Sequence, residues 1–158
     1  MENYDKKEII ILFGEMGGGK NYWGEIYAYQ LNYHFFDGDT VATPQMMERV
    51  SKFKPLNKEI ISNYLTILTS EIINRASVSS NGLVVAQALY NNKDRISLKE
   101  KIEATGEFNV NFFWVHVPFL QNLKQIYSRP KGFRWALYWL INKPFFQKPT
   151  HTNFRIQL

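Results

Sequence analysis

The stretch Gly14-Glu15-Met16-Gly17-Gly18-Gly19-Lys20 constrains this chain more than any other. Its four glycines let the backbone curl until several N–H groups point inward, with no side chain between them and a bound anion. The flanks give the loop its meaning. Before it, Glu8–Phe13 (EIIILF) is a short apolar run rich in β-branched residues, which reads as a strand buried on both faces of a parallel sheet. After it, a helical pattern runs from about Lys20 to Asn32. Strand, G-x-x-x-x-G-K and helix in that order form a phosphate cradle, because the free N–H groups and positive dipole end of the helix face the same anion as the loop. Lys20 then reaches the outer phosphates as a mobile point charge. Without those flanks the same residues would be a glycine-rich turn with a chance lysine.

The rest of the chain repeats the strand-then-helix rhythm. Tyr33–Phe36 is a second apolar run, stopping at Asp37-Gly38-Asp39. Pro44 to about Arg75 is helical, broken near Pro55 into two helices. Gly82–Ala88 and Val110–Val117 read as further strands, each followed by a helical stretch, Asn92 to about Ala104 and Pro118–Tyr127. A basic, aromatic segment runs to about Thr152, and Phe154–Leu158 alternates like a short fifth strand. Alternating strands and helices imply βαβ units and a mostly parallel sheet, whose ligands bind beyond the carboxyl ends of the strands. The glycine loop and Asp-Gly-Asp both follow strands and are expected at that edge. An Asp-Gly pair is also a common hairpin turn, although a helical pattern, not a strand, follows this one.

Charge is unevenly placed. Residues 1–107 hold 12 Lys and Arg against 14 Asp and Glu, whereas residues 108–158 hold 7 bases and no acid. Such asymmetry points to an anionic partner or to a solvated basic face. Phe133, Trp135, Tyr138, Trp139, Phe145 and Phe146 lie among those bases. Their pattern suits packing in a core or lid, stacking on nucleic-acid bases, or an interfacial helix. There is no cysteine, no apolar leader in MENYDKKEII and no run of about 20 apolar residues, so the expectation is a cytoplasmic protein without a membrane span. His34, His116 and His151 show no metal-ligand spacing.

Two further stretches carry a family resemblance. GEMGGGKNYWGEIYAYQL followed by HFFDGDT resembles the opening of the small P-loop metabolite kinases: gluconokinase, shikimate kinase and adenylylsulfate kinase. Phe36-Asp37-Gly38-Asp39, then Met46-Met47 and Pro55-Leu56-Asn57, is similar to the gluconokinase pattern in particular. ALYNNKDRISLKEKIEATG is similar to the segment after their third strand, and Arg129 to Phe133 (RPKGF) resembles the start of a lid. The resemblance implies that Asp37 positions magnesium through water and that Asp39 contacts or deprotonates the acceptor hydroxyl. It further implies that lid bases among Arg129, Lys131 and Arg134 close over the phosphates, with Arg129 in a catalytic role and Lys131 near the acceptor, although each could equally be a solvated surface base. Arg95 either contacts the acceptor or, four residues before Lys99, stands exposed. Phe133-Arg134 replaces the family's usual His-Phe pair, and Asn21 stands where a P-loop normally carries the Ser or Thr that ligates Mg²⁺. An amide oxygen can ligate magnesium, but the side chain is longer and planar.

The expectation is therefore one α/β domain over 1–158, a three-layer sandwich of the P-loop NTPase type with a five-stranded, mostly parallel sheet and a lid-like segment at about 129–152. ATP and Mg²⁺ are the expected cofactors. Gly14, Glu15, Met16, Gly17, Gly18, Gly19, Lys20 and Asn21 would bind the nucleotide, and Asn21 and Asp37 the metal. Lys20, Asp37, Asp39 and Arg129 form the catalytic set, and Asp39, Arg95 and Lys131 the acceptor set. The expected activity is phosphoryl transfer to a small hydroxylated metabolite. Two alternatives stand beside it: a nucleotide-binding protein with weak or no transfer, and a kinase or binder of nucleic-acid ends.

Overall fold

The computed structural model describes residues 5–149 and the backbone of 154–157. His151, the end of the basic segment at 150–152 and Leu158 lie outside the described residues.

The chain opens on β1 (Lys7–Phe13), whose last five residues, Ile9 to Phe13, are all buried. Burial on both faces explains why this strand is a continuous apolar run and does not alternate. Next come α1 (Lys20–Leu31), β2 (His34–Asp37) and a single 3₁₀ turn at Gly38–Val41. The predicted break at Pro55 separates α2 (Pro44–Ser51) from α3 (Lys58–Val78). Thr43 and Asn57 cap the two helices, each side chain accepting from an N–H three residues on, at 3.2 and 2.9 Å. β3 (Gly82–Ala86), α4 (Asn92–Glu103), β4 (Phe108–His116), α5 (Phe119–Tyr127) and α6 (Gly132–Asn142) complete the main elements.

The sheet runs β2-β3-β1-β4, and a short segment, β5 (Phe154–Gln157), adds along the outer side of β4. Every pairing is parallel. One face of β1 (Ile9, Ile11, Phe13) meets Leu68 and Ile72 of α3 and Leu98 and Ile102 of α4. The other face (Ile10, Leu12) meets Ala28, Trp23 and Tyr27 of α1. Helices on both faces make the predicted three layers.

Helices α5 and α6 form an antiparallel hairpin with a small core of its own, Ile126, Ala136 and Trp139. Gly132 lets the hairpin close, since a Cβ there would lie 1.9 Å from the Tyr127 carbonyl oxygen. At the other end the Phe119 ring lies 5.2 Å from that of Trp139. No described helix is long and apolar enough to cross a membrane.

Candidate active site

The glycine loop leaves β1 at its carboxyl end and is held tightly from both sides. A Cβ on Gly14 would sit 2.5 Å from the backbone oxygen of Val115, so only glycine lets β1 run this close to β4. Gly17 has φ +78, and a Cβ there would strike Ile126 and Asn122 of α5. The loop ends at Gly19, where α1 begins with no side-chain cap and no acid in its first turn. Its free N–H groups and positive dipole end thus face the crevice unopposed, which suits an anion. The Lys20 ammonium crosses the loop and donates to the Glu15 carbonyl at 2.8 Å.

The acidic turn meets the loop through Asn21. Its Nδ2 donates to Asp37 Oδ2 at 2.7 Å, while Asp37 Oδ1 accepts from the Asp39 N–H at 2.9 Å. This is an Asx-type cap on a 3₁₀ turn, not a hairpin, which is why a helical segment follows. Tyr64 of α3 steadies the turn by donating to the Gly38 carbonyl at 2.8 Å.

The electrostatics tie these groups together. Burial pushes the Lys20 ammonium down to about 8; Asp39 opposes this, Arg129 adds to it, and Asp37 and Glu15 oppose it more weakly. Asp39 keeps an open face to solvent, yet the protein packed around it raises its carboxyl above the usual range. Asp37 raises it further, while Lys20 and a hydrogen bond from Gln87 pull it down. Lys20, Asp37, Asp39 and Arg129, distant in sequence, thus lie within electrostatic reach of one another.

Other predicted residues are placed differently. Glu15 and Met16 turn their side chains toward the α5–α6 hairpin. The Glu15 carboxylate accepts from Trp139 Nε1 at 2.8 Å and from Lys143 Nζ at 2.9 and 3.0 Å. Met16 packs into the core of the α5–α6 hairpin, and its N–H donates to the Tyr90 hydroxyl. The loop is thereby fastened to α6. Arg95 corrects the expectation of an exposed base. It is buried, donates to the Leu89 and Gln147 carbonyls and to Asn92 Oδ1, and its guanidinium lies 4.5 Å from the Phe13 ring centre. It fastens the segment after α6 to the end of β3. Lys131 is exposed with φ 59 just before α6, and no described hydrogen bond joins its ammonium to the loop. Arg134 lies 5.5 Å from the Phe53 ring, and Phe53, at φ 54, also touches Trp135 and Tyr138. The corner between α2 and α3 therefore contacts α6.

Gln87 was not anticipated from the sequence. It directly follows the last residue of β3, is 5% exposed, hydrogen-bonds Asp39, and has an Oε1 without a partner. A lone amide ending an apolar strand at the ligand-binding edge was the available signal.

The low pKa of Lys20 has a measurable consequence. A phosphate beside the ammonium favours its charged form, so between about pH 8 and 10 ligand binding draws in a proton. Titrations of ATP at pH 9 in two buffers of different ionisation enthalpy are expected to show uptake of a fraction of a proton, absent in Lys20→Met. Equal heats in both buffers would remove Lys20 from the anion site.

No known family model matches the chain, and no curated protein matches it by sequence. Solved structures do match. A gluconokinase from Sinorhizobium meliloti 1021 is 19% identical, with a TM-score of 0.75 over 98% of this chain and 82% of that one. APS kinase from Mycobacterium tuberculosis, solved with AMPPNP and APS, is 15% identical with a TM-score of 0.63, over 96% and 88% of the two chains. Shikimate kinase from Acinetobacter baumannii, solved with shikimate, is 17% identical with a TM-score of 0.57, over 98% and 85%. At these identities the likeness is one of architecture, and the architecture this chain shares is that of the P-loop kinases.

Proposed function

We propose that this chain transfers the terminal phosphoryl group of ATP to a hydroxyl of a small metabolite. The observation that supports the reading is the glycine loop with Lys20 at the uncapped start of α1, joined to the acidic turn by the Asn21–Asp37 hydrogen bond, with Arg129 within electrostatic reach of Lys20. Loop amides from Gly14 to Asn21 would hold the phosphates, and Lys20 would leave the Glu15 carbonyl to neutralise them. Asp39 would take the proton from the acceptor hydroxyl as its oxygen bonds to phosphorus and ADP departs; its raised pKa makes it a better base than an ordinary carboxylate. Arg129 would stabilise charge on the transferring group. Lys131, at the start of α6, would lie on the acceptor side of a lid-like segment, within one domain. This account expects the protein to work in the cytoplasm.

Magnesium, which supplies charge neutralisation at the phosphates when bound, fits the donor set. With Nδ2 engaged on Asp37, Asn21 retains its amide oxygen, and the Asp37 carboxylate has lone pairs to spare for a hard cation or its waters. The same hydrogen bond supports a second reading, a nucleotide binder with little transfer, because Asn21 is occupied where a ligating hydroxyl is normal.

A transfer assay separates the two. The parent, offered Mg²⁺, ATP and a panel of sugar acids, polyols and nucleosides, is expected to phosphorylate one class. Asn21→Ser is expected to raise turnover by about ten- to thirtyfold, since one of six metal ligands changes and Asp37 is released. Background turnover in both proteins would leave the binder.

A further inference from the structure

A carboxylate sits in the glycine loop. The backbone carbonyl of Glu15 accepts from the Lys20 ammonium at 2.8 Å and from the Gly18 N–H at 3.3 Å. The same residue brings a negative side chain to a loop whose glycines and uncapped helix end favour anions. That side chain is among the charges that act on the Lys20 ammonium, so it also acts on any anion the ammonium meets. Left unpaired, it would repel phosphate.

Its neutralisation comes from far along the chain. Lys143 Nζ donates to both carboxylate oxygens at 2.9 and 3.0 Å, and Trp139 Nε1 donates to one of them at 2.8 Å. The Lys143 ammonium also lies 5.1 Å from the Trp139 ring centre and 5.9 Å from that of Phe119. Only 17% of the Glu15 side chain is exposed, so water and salt screen this pair less than a surface one. Trp139 is fully buried in the hairpin core, and Lys143 directly follows α6. The pair therefore requires α6 to be docked against the loop.

We infer that Lys143 is a positioning residue that raises the anion affinity of the glycine loop by cancelling the Glu15 charge, so that ATP binds more tightly when α6 is docked. By linkage, whatever factor docking adds to ATP affinity, bound ATP adds to docking. Arg129 lies in the turn between α5 and α6, so the same docking holds this base near an occupied loop. The inference rests on the reading that ATP phosphates occupy this loop.

A double-mutant cycle followed by calorimetry tests it. Lys143→Met keeps an apolar stem beside Phe119 and Trp139 but removes the charge, and is expected to weaken ATP binding by about three- to tenfold. In a Glu15→Gln background the amide oxygen can still accept from Trp139, and there Lys143→Met is expected to cost less than about twofold. Lys143→Arg, which keeps the charge, is expected to lose less affinity than Lys143→Met. A lysine that merely braced the fold, or touched the phosphates itself, would cost the same in both backgrounds, and that result would overturn the inference. Equal ATP affinity in Lys143→Met and the parent would overturn this inference alone. A parent that binds no ATP would overturn it together with the reading beneath it.

Discussion

Lys20→Ala is expected to weaken ATP binding by about 2–4 kcal/mol, the range for losing a charge-assisted hydrogen bond in a partly closed site. Among the described residues the ammonium is the cation that spans the glycine loop, and its present acceptor is only a backbone carbonyl. Nothing else on the loop can replace it, because Arg129 comes from beyond α5 and Lys143 is held by Glu15. The fold is expected to survive, since burial works against the Lys20 charge in the free protein. Calorimetry finding equal affinity in mutant and parent would show that ATP does not use this loop.

The second large effect is on stability. Arg95→Ala is expected to cost about 3–5 kcal/mol, since three neutral acceptors lose their donor at roughly 1–3 kcal/mol for each one left unsatisfied in the interior. The substitution leaves the Leu89 and Gln147 carbonyls and Asn92 Oδ1 without their donor, and empties the space over Phe13 and Phe146. Arg95→Lys is expected to recover only part, because one ammonium cannot serve three acceptors in fixed directions or stack flat on a ring. Urea midpoints with unchanged slope measure the loss. A change below about 1 kcal/mol would mean that the contact is dispensable. Proteolysis near Gln147, faster in Arg95→Ala, would show that this residue tethers the segment after α6.

These two residues mark what the sequence made legible. The place of Lys20 could be read because it is local: strand, glycines and helix adjoin it, and each leaves its own pattern. The places of Asp37 and Asp39 were legible for the same reason, as acids at a strand end. Arg95 was not. Its partners are mostly backbone carbonyls, which every residue has, so nothing in the composition separates a buried arginine of this kind from an exposed one. The Glu15 side chain was not legible for a related reason: its carboxylate's partners, Trp139 and Lys143, are more than a hundred residues away in the chain. The uneven charge of residues 108–158 was plain.

The central claim is that phosphates sit in the loop between β1 and α1, and amide hydrogen exchange tests it at the atoms concerned. With saturating ATP and Mg²⁺, the amides from Gly17 to Asn21 are expected to exchange at least about tenfold more slowly, because they donate to phosphate oxygens in the bound state. The amide of Asp39 is expected to slow as the acidic turn is held against the loop. Unchanged exchange across Gly14–Asn21, in a protein that calorimetry shows to be saturated with ATP, would contradict the account.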